Sequence, residues 1–428
     1  MINKIKNVIA SDLVKVFSFT GLSTLVKLVT SYLTVKVVAS IIGPSGIALI
    51  GQLQNFVMIM TTLGAGGINN GVVKYVSESR ESEDELNKFI SNGLRLTVYF
   101  SLFFAVLLIL LSSLFSKWIL LDEQYQYVFL FFGVTLLLLS LNNFFLSILN
   151  GYKDFKNFVA LNIVTSVIGL IFTISLVLLF SLKGALIATV TYQGVVLFVT
   201  LFYLRKSTWF KKSMLLGAWD KEVIRKFLSY SVMALVSAAT LPVSQLLVRS
   251  YLINNYSVAS AGFWEGMNRI SGLFLLFFVN SFSVYYLPKL SEIQDKQVLR
   301  REIINTYKIF APILFVALLG LYLLKDLVIS ILFTKEFYPM KELFFWQLLG
   351  DFFKIISWIL AFVMVAKSMT KIYIITEILF AALFVGTSYI FINKFGVIGA
   401  TESYFVTYFC YFLVMLLIFR KLLFTKKI

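Results

Sequence analysis

The sequence lacks histidine entirely and contains a single cysteine, Cys410, among its 428 residues. One cysteine cannot form a disulfide within the chain. Zinc, haem and iron–sulfur sites draw their usual ligands from these two residue types, and histidine is the commonest acid–base catalyst. We therefore expect no cofactor and no metal ion, and the composition argues against an enzyme.

Charged side chains are also scarce. They make up 14% of the residues, whereas hydrophobic residues make up 59%; soluble proteins are about 25% charged. Apolar runs long enough to cross a bilayer, each of about 20 residues or more, follow one another along the chain. We predict an all-α integral membrane protein with about twelve transmembrane helices, over 14–42, 46–73, 89–115, 126–149, 157–181, 184–204, 227–253, 258–287, 302–324, 342–366, 372–392 and 397–419.

The first apolar run is too long for a signal peptide and has no small-residue cleavage site, so we expect it to remain as a membrane helix. Basic residues alternate between the loops: 25 of the 38 Lys and Arg residues fall in one set of loops and in the two chain ends. An excess of Lys and Arg marks cytoplasmic loops. This alternation predicts that both termini are cytoplasmic, and it accounts for the net charge of +17 without nucleic acid as a partner.

The two halves of the chain resemble each other at a spacing of about 216 residues. GPSGIALIGQLQN from Gly43 aligns with ASAGFWEGMNRIS from Ala259, and KGALIA from Lys183 has a counterpart in FGVIGATE from Phe395. Small residues at helix starts would also follow from close helix packing alone. We predict two pseudo-symmetric six-helix lobes around a central cavity, 1–204 and 227–428, joined by a basic cytoplasmic linker over 205–226.

Ionisable residues inside spans normally face a bundle interior or a wet cavity. Glu265 and Arg269 are four residues apart, and Asp351 and Lys354 are three apart, so each pair shares a helix face. Either pair could be a structural ion pair, or a cation held ready for a phosphate. The candidate headgroup-binding cations are Lys27, Lys36, Arg249, Arg269, Lys308 and Lys354. The acids proposed for ion coupling or ion pairing are Glu265, Asp351, Glu377 and Glu402.

Four stretches carry a family resemblance: GPSGIALIGQLQN, GAGGINNGVVKYV, SFSVYYLPKLSEI and LFFWQLLGDFFK. They resemble the Wzx-type polysaccharide flippases of the multidrug/oligosaccharidyl-lipid/polysaccharide exporter superfamily, most closely those that move O-antigen units or lipid III of enterobacterial common antigen. The resemblance implies two six-helix lobes and an undecaprenyl-diphosphate-linked oligosaccharide as substrate. It implies passage from the cytoplasmic to the periplasmic leaflet of the inner membrane by alternating access.

Three other functions stay open at this point. A drug or cation antiporter of the same superfamily would need an acidic cavity, and here the deep cations outnumber the acids. A membrane enzyme such as a polymerase acting on lipid-linked glycans usually has a large extramembrane loop, which is missing from this sequence. A scaffold for polysaccharide assembly, beside polymerase and chain-length proteins, would tolerate changes to cavity residues.

The charge asymmetry predicts that a reporter fused after Ile428 is active in the cytoplasm. The same reporter inserted after Tyr256, in a loop of the opposite set, is the matched control and should be active outside the cytoplasm. Alkaline phosphatase and green fluorescent protein fusions measure the two sides. A C-terminal fusion that is active only outside would refute the topology.

Overall fold

The computed structural model describes residues 12–207, 210–215 and 217–424, and in these ranges the backbone is helical except at turns. The two chain ends, for which the sequence predicts a cytoplasmic placement, lie largely outside the described residues. We number the α-helices of eight residues or more in chain order. They are α1 (Asp12–Gly64), α2 (Asn69–Glu78), α3 (Glu83–Leu110), α4 (Gln126–Gly151), α5 (Phe155–Lys206), α6 (Lys221–Asn255), α7 (Val258–Ser281), α8 (Lys296–Leu323), α9 (Lys325–Leu332), α10 (Phe344–Ala366), α11 (Thr370–Phe395) and α12 (Val397–Ile418).

Shorter helical pieces connect these helices. Three are α-helical turns, at Ser112–Phe115, Leu287–Glu292 and Arg420–Phe424; three are 3-10 turns, at Glu123–Tyr125, Lys212–Leu215 and Lys335–Leu343; and two are π turns, at Ser116–Leu120 and Phe282–Tyr286. The sequence predicts a short interfacial helix followed by a turn at Pro339. The structure has the helix, as α9, and the 3-10 piece that contains Pro339; the interfacial placement of α9 stays a prediction.

The described residues include nine helices that are long and apolar enough to cross a membrane. Two of them, α1 and α5, contain a kink with non-helical backbone angles. Dividing these two helices at their kinks gives eleven segments, and α7, a helix of 24 residues that carries Glu265 and Arg269, is the twelfth. The prediction of about twelve membrane helices is therefore confirmed.

The kink in α1 has a direct cause in the sequence. Pro44 has no N–H to donate and disfavours helical angles at the residue before it. That residue is Gly43, which has a φ of 63°, a value that glycine adopts without steric cost. The first and second predicted spans thus meet at the expected place. The second span is shorter than predicted, because α1 ends at Gly64. Gly66 and Gly67, both with φ of 65°, form the turn that follows it.

The internal repeat is visible in the turns that precede the sixth and twelfth spans. Ser181 and Gly396 both have positive φ, of 51° and 66°. Three residues later, a Cβ on Gly184 or on Gly399 would lie 1.9 Å or 2.2 Å from a carbonyl oxygen eight residues back, in the preceding helix. Only glycine allows this approach, so the Gly-Ala pair that KGALIA and FGVIGATE share reflects one turn geometry used twice.

Contacts divide the chain into two compact units. The first unit comprises 1–41 and 52–239, and the second comprises 42–51 and 240–428. In the first unit α4 packs against α3 and α5, and in the second α12 packs against α10 and α11. The predicted lobe boundaries at 204 and 227 stay a prediction.

The connection after α5 is packed onto the first unit. Met214 is 3% exposed and belongs to the same apolar cluster as Phe227, Ile90 and Phe144. The fully buried Asn92 of α3 donates to the carbonyl of Ala218 at 3.0 Å and accepts from the backbone N–H of residue 220 at 3.0 Å. The segment that reads as a polar linker therefore contributes to a core.

The strained turn before the sixth span makes a testable prediction. Ser181 has φ 51° and ψ −128°, a region that side-chain-bearing residues avoid at a cost of about 1–3 kcal/mol. Ser181→Gly should stabilise the protein by about 1 kcal/mol, because the strain relieved exceeds the added entropy of the unfolded chain. Thermal unfolding in detergent measures the change. Ser166→Gly, inside α5, is the matched control and should destabilise; a Ser181→Gly protein less stable than wild type would contradict the argument.

Candidate functional site

Two clusters of polar side chains lie among the apolar helices of the second unit, and both include residues of α7. The helix begins beside a capping bond in which Ser257 accepts from the backbone N–H of Ser260 at 3.0 Å. The preceding helix, α6, ends only three residues earlier, at Asn255. At 1.5 Å per residue, Arg249 of α6 and Glu265 of α7 are each about 10 Å from this turn, so they lie at the same depth.

The first cluster, which we call the charge triad, consists of Arg249, Glu265 and Arg269. Arg249 Nη2 lies 2.5 Å from Glu265 Oε2, and Arg269 Nε lies 3.0 Å from Glu265 Oε1. The side chains are 1%, 9% and 18% exposed in the same order. The indole of Trp264 covers the guanidinium of Arg249, with 5.4 Å between the guanidinium carbon and the ring centroid. The ion pair predicted between Glu265 and Arg269 is confirmed, and Arg249 joins it.

The charge balance of the triad favours an anion. Two guanidinium groups share one carboxylate, so the triad carries a formal charge of +1 in an apolar setting. A buried charge is costly unless it is paired and hydrogen-bonded. Arginine also presents a planar set of donors that matches two oxygens of a phosphate. The triad can therefore hold a phosphate or carboxylate group at its accessible edge.

The second cluster surrounds Asp351, which is fully buried. Its Oδ1 atom accepts from Ser271 at 2.7 Å and from the hydroxyl of Tyr404 at 2.9 Å. Gln347 donates in turn to Ser271 at 3.4 Å. Because α7, α10 and α12 each supply members of this cluster, it ties three helices of the second unit together.

Lys354 belongs to the second cluster but not in the way that the i, i+3 spacing predicts. Its Nζ atom donates to Tyr404 at 3.2 Å, and among the described residues it makes no salt bridge with Asp351. The ammonium lies 4.6 Å from the ring centroid of Tyr408, 5.3 Å from that of Tyr404 and 5.7 Å from that of Trp358. The expected direct pair is thus replaced by a chain that runs from Lys354 through a tyrosine hydroxyl to Asp351.

The remaining predicted residues lie outside these two clusters. Lys27 and Lys308 are exposed, and Lys36 is half-buried. Glu377 and Glu402 are half-buried, and Glu377 lies within electrostatic reach of Lys354. The structure therefore brings together five of the ten predicted residues, in two groups, and leaves the other five apart from them.

Sequence reasoning missed the aromatic members of both clusters. Tyr404, Tyr408, Trp264 and Trp358 resemble ordinary apolar positions in a membrane helix. One signal was available for Tyr404: the residue before Asp351 is Gly350, and a Cβ there would lie 2.4 Å from the Tyr404 ring. A glycine beside a buried carboxyl can mark the space that a large neighbour occupies.

Among the described residues, no group of three or more His, Cys, Asp or Glu side chains could hold a metal ion.

A family model for "Polysaccharide biosynthesis protein" matches residues 13–294, which is about two thirds of the chain and includes the charge triad. The chain belongs to the polysaccharide biosynthesis protein family.

Individual relatives and solved structures agree with this family. The lipid III flippase of Escherichia coli (strain K12) is 29% identical over 401 residues, 94% of this chain and 96% of that protein. An inward-facing multidrug resistance MATE transporter of the MOP superfamily has a TM-score of 0.77 at 15% identity, covering 93% of this chain and 98% of that one. The lipid II flippase MurJ, in an inward closed conformation, has a TM-score of 0.71 at 17% identity, with coverages of 95% and 87%. The fold of this family member is that of a MOP-superfamily transporter.

The chain from Lys354 to Asp351 predicts a coupled effect on stability. Lys354→Met should destabilise the protein by about 3 kcal/mol, because it leaves a buried carboxylate without its nearest cation. Adding Asp351→Asn removes that charge and should restore most of the loss. Thermal unfolding in detergent is the measurement, and Lys308→Met, at an exposed lysine, is the matched control. A double variant no more stable than Lys354→Met alone would contradict the coupling.

Proposed function

We propose that this protein is a flippase that carries an undecaprenyl-diphosphate-linked oligosaccharide from the cytoplasmic to the periplasmic leaflet by alternating access. The chain is 29% identical, over nearly its whole length, to two proteins named lipid III flippase. The structural neighbours include a lipid II flippase, so lipid-linked saccharides are moved by a protein of the same fold. A lipid III or O-antigen repeat unit fits the resemblance equally well.

The charge triad is the observation that carries the proposal. A diphosphate has to cross a region of low dielectric constant while its polyprenyl tail remains in lipid. Arg249, Glu265 and Arg269 keep a formal charge of +1 among apolar helices, and Arg269 lies about 17 Å along α7 from its start, near the middle of that helix. A cation at this depth lowers the cost of a phosphate there.

The other lysines remain proposals for headgroup contact. Lys27, Lys36 and Lys308 lie on helices of the two units and could meet the diphosphate or its sugars at different stages of transport. Lys354 is enclosed by aromatic rings, so its contribution would require that these rings move. We propose Lys354 as a headgroup contact only in a state other than the one described here.

The acids of the second unit are proposed for ion coupling. The sequence contains no GxxxxGK[ST] motif for binding ATP phosphates, which favours an ion gradient or removal of product as the source of energy. Glu265 serves as the ion-pair acid of the triad. Asp351 has one oxygen, Oδ2, without a hydrogen-bond partner among the described residues, and an exchangeable proton or cation would satisfy it. Glu377 and Glu402 stay candidates for the same role.

The cellular setting follows from the proposed activity. We infer a multi-pass protein of the cell inner membrane with both termini in the cytoplasm. The product would be consumed in the periplasm, so polysaccharide polymerase and chain-length proteins are the proposed partners. Transport requires no covalent chemistry on the glycan, and we propose that the protein is not an enzyme.

A reconstituted flipping assay tests the function. Proteoliposomes containing a fluorescent undecaprenyl-diphosphate oligosaccharide should expose it to an external quencher or lectin only when the protein is present, with a rate that depends on a proton or sodium gradient. Arg269→Ala should lower this rate at least tenfold, because it removes the most accessible cation of the charge triad, without lowering the amount of folded protein. Lys183→Ala, at an exposed turn, should not lower the rate.

Other outcomes would support the competing functions. Movement of organic cations but not of the lipid-linked glycan would identify an antiporter. Lengthening or transfer of the glycan by the purified protein would identify an enzyme. Full complementation by Lys27→Ala and Arg269→Ala in cells would favour a scaffold.

A further inference from the structure

The three members of the charge triad differ in what they can reach. Arg249 is 1% exposed and lies against the indole of Trp264, which is itself 1% exposed. Glu265 is 9% exposed, whereas Arg269 is 18% exposed. A ligand as large as a diphosphate headgroup therefore meets Arg269 first. Arg249 can act on such a ligand only through the residues that separate them.

Glu265 is the connection between the two arginines. One carboxylate oxygen accepts from Arg249 and the other accepts from Nε of Arg269. Nε is the nitrogen closest to the side-chain stem, so this bond fixes the direction in which the guanidinium group points. A bond through a terminal nitrogen would leave that direction less restricted. A change in the position of the Glu265 carboxylate should therefore change the position of the Arg269 donors.

The backbone at a glycine, Gly51, approaches the Glu265 carboxylate closely from a third side. Gly51 lies in the 42–51 segment, which belongs to the same unit as α6 and α7. A Cβ at Gly51 would lie 2.5 Å from the carboxylate carbon of Glu265 and 2.7 Å from each oxygen. Nearby, a Cβ on Gly262 would lie 2.0 Å from the carbonyl oxygen of Pro44. The segment thus packs closely on α7, and the missing side chain at Gly51 leaves room for the Glu265 carboxylate.

From these contacts we infer that Gly51, Arg249 and Glu265 are positioning residues for Arg269, and that Arg269 is the member of the triad that contacts the substrate diphosphate. This inference rests on the proposed flippase function and assigns different roles within one cluster. It gives different roles to Arg249 and Arg269, which the sequence analysis places in the same set of candidate headgroup-binding cations. It also adds Gly51, a residue with no chemistry of its own, to the site.

The sharpest test moves the carboxylate without changing any charge. In Gly51→Ala the added methyl group displaces Glu265, and Gly320→Ala is the matched control, because a Cβ at Gly320 meets nothing within 4 Å. Two readouts are taken on purified protein in detergent. The first is labelling of Arg269 by phenylglyoxal, mapped by mass spectrometry, which needs no substrate. The second is the Kd for undecaprenyl diphosphate at low and high salt.

We expect Gly51→Ala to raise Arg269 labelling several-fold and to weaken undecaprenyl diphosphate binding on the order of tenfold, the scale of a small misplacement of a binding group. Gly320→Ala should match wild type in both readouts. Glu265→Gln, which keeps the shape of the side chain, should raise the labelling as Gly51→Ala does. It gives the same test should Gly51→Ala fail to fold.

The arginines should separate in the same assays. Arg269→Lys should keep less than a tenth of the affinity, because a single ammonium cannot reproduce bidentate contact. Arg249→Lys should retain most of the affinity, because it still supplies a cation to Glu265. Equal losses in the two lysine variants, or unchanged Arg269 labelling in both Gly51→Ala and Glu265→Gln, would overturn the positioning roles. Failure of the wild-type protein to bind undecaprenyl diphosphate, with the labelling changes intact, would instead overturn the proposed function.

Discussion

Hydrocarbon provides no water to a backbone amide and no counter-ion to a charge, and most of this structure follows from that constraint. Each segment that crosses the membrane satisfies its backbone by forming a helix. Departures from helical geometry are confined to particular positions: Gly43 precedes a proline, whereas Ser181 adopts strained backbone angles at the turn before the sixth span. The repeated turn at Ser181 and Gly396 indicates that the two halves solve the same problem with the same backbone geometry.

The constraint applies equally to side chains. Arg249, Glu265 and Asp351 are buried, and each is bonded to partners from a neighbouring helix. In the triad the carboxylate serves two cations, whereas around Asp351 a tyrosine hydroxyl separates the acid from Lys354. The first arrangement leaves an excess of positive charge and the second brings acid and base close to neutrality. The two clusters therefore suit different tasks, although both rely on α7.

Hydropathy and proline–glycine signals were sufficient to predict the spans, because those features act over a single helix. The Glu265–Arg269 pair was predictable for the same reason, since its members share a helix face. The partner on α6, Arg249, and the aromatic residues around Lys354 were not, because spacing along one helix says nothing about which face of another helix it meets. The expected direct pair between Asp351 and Lys354 was wrong for that reason. The hydroxyl of Tyr404, from α12, lies between them: it accepts from Lys354 and donates to Asp351.

The packed connection between α5 and α6 affects how the protein can be divided. Met214, Val223 and Phe227 are part of the apolar cluster of the first unit, and Asn92 holds the backbone at 218 and 220. If the gene were divided within this stretch, the amino-terminal fragment would lose residues of its own apolar cluster, such as Phe227. The boundary between the two units, at 239 and 240, lies inside the membrane-spanning α6 helix, so a cut there would divide a membrane segment. No single cut between α5 and α7 therefore leaves both units complete.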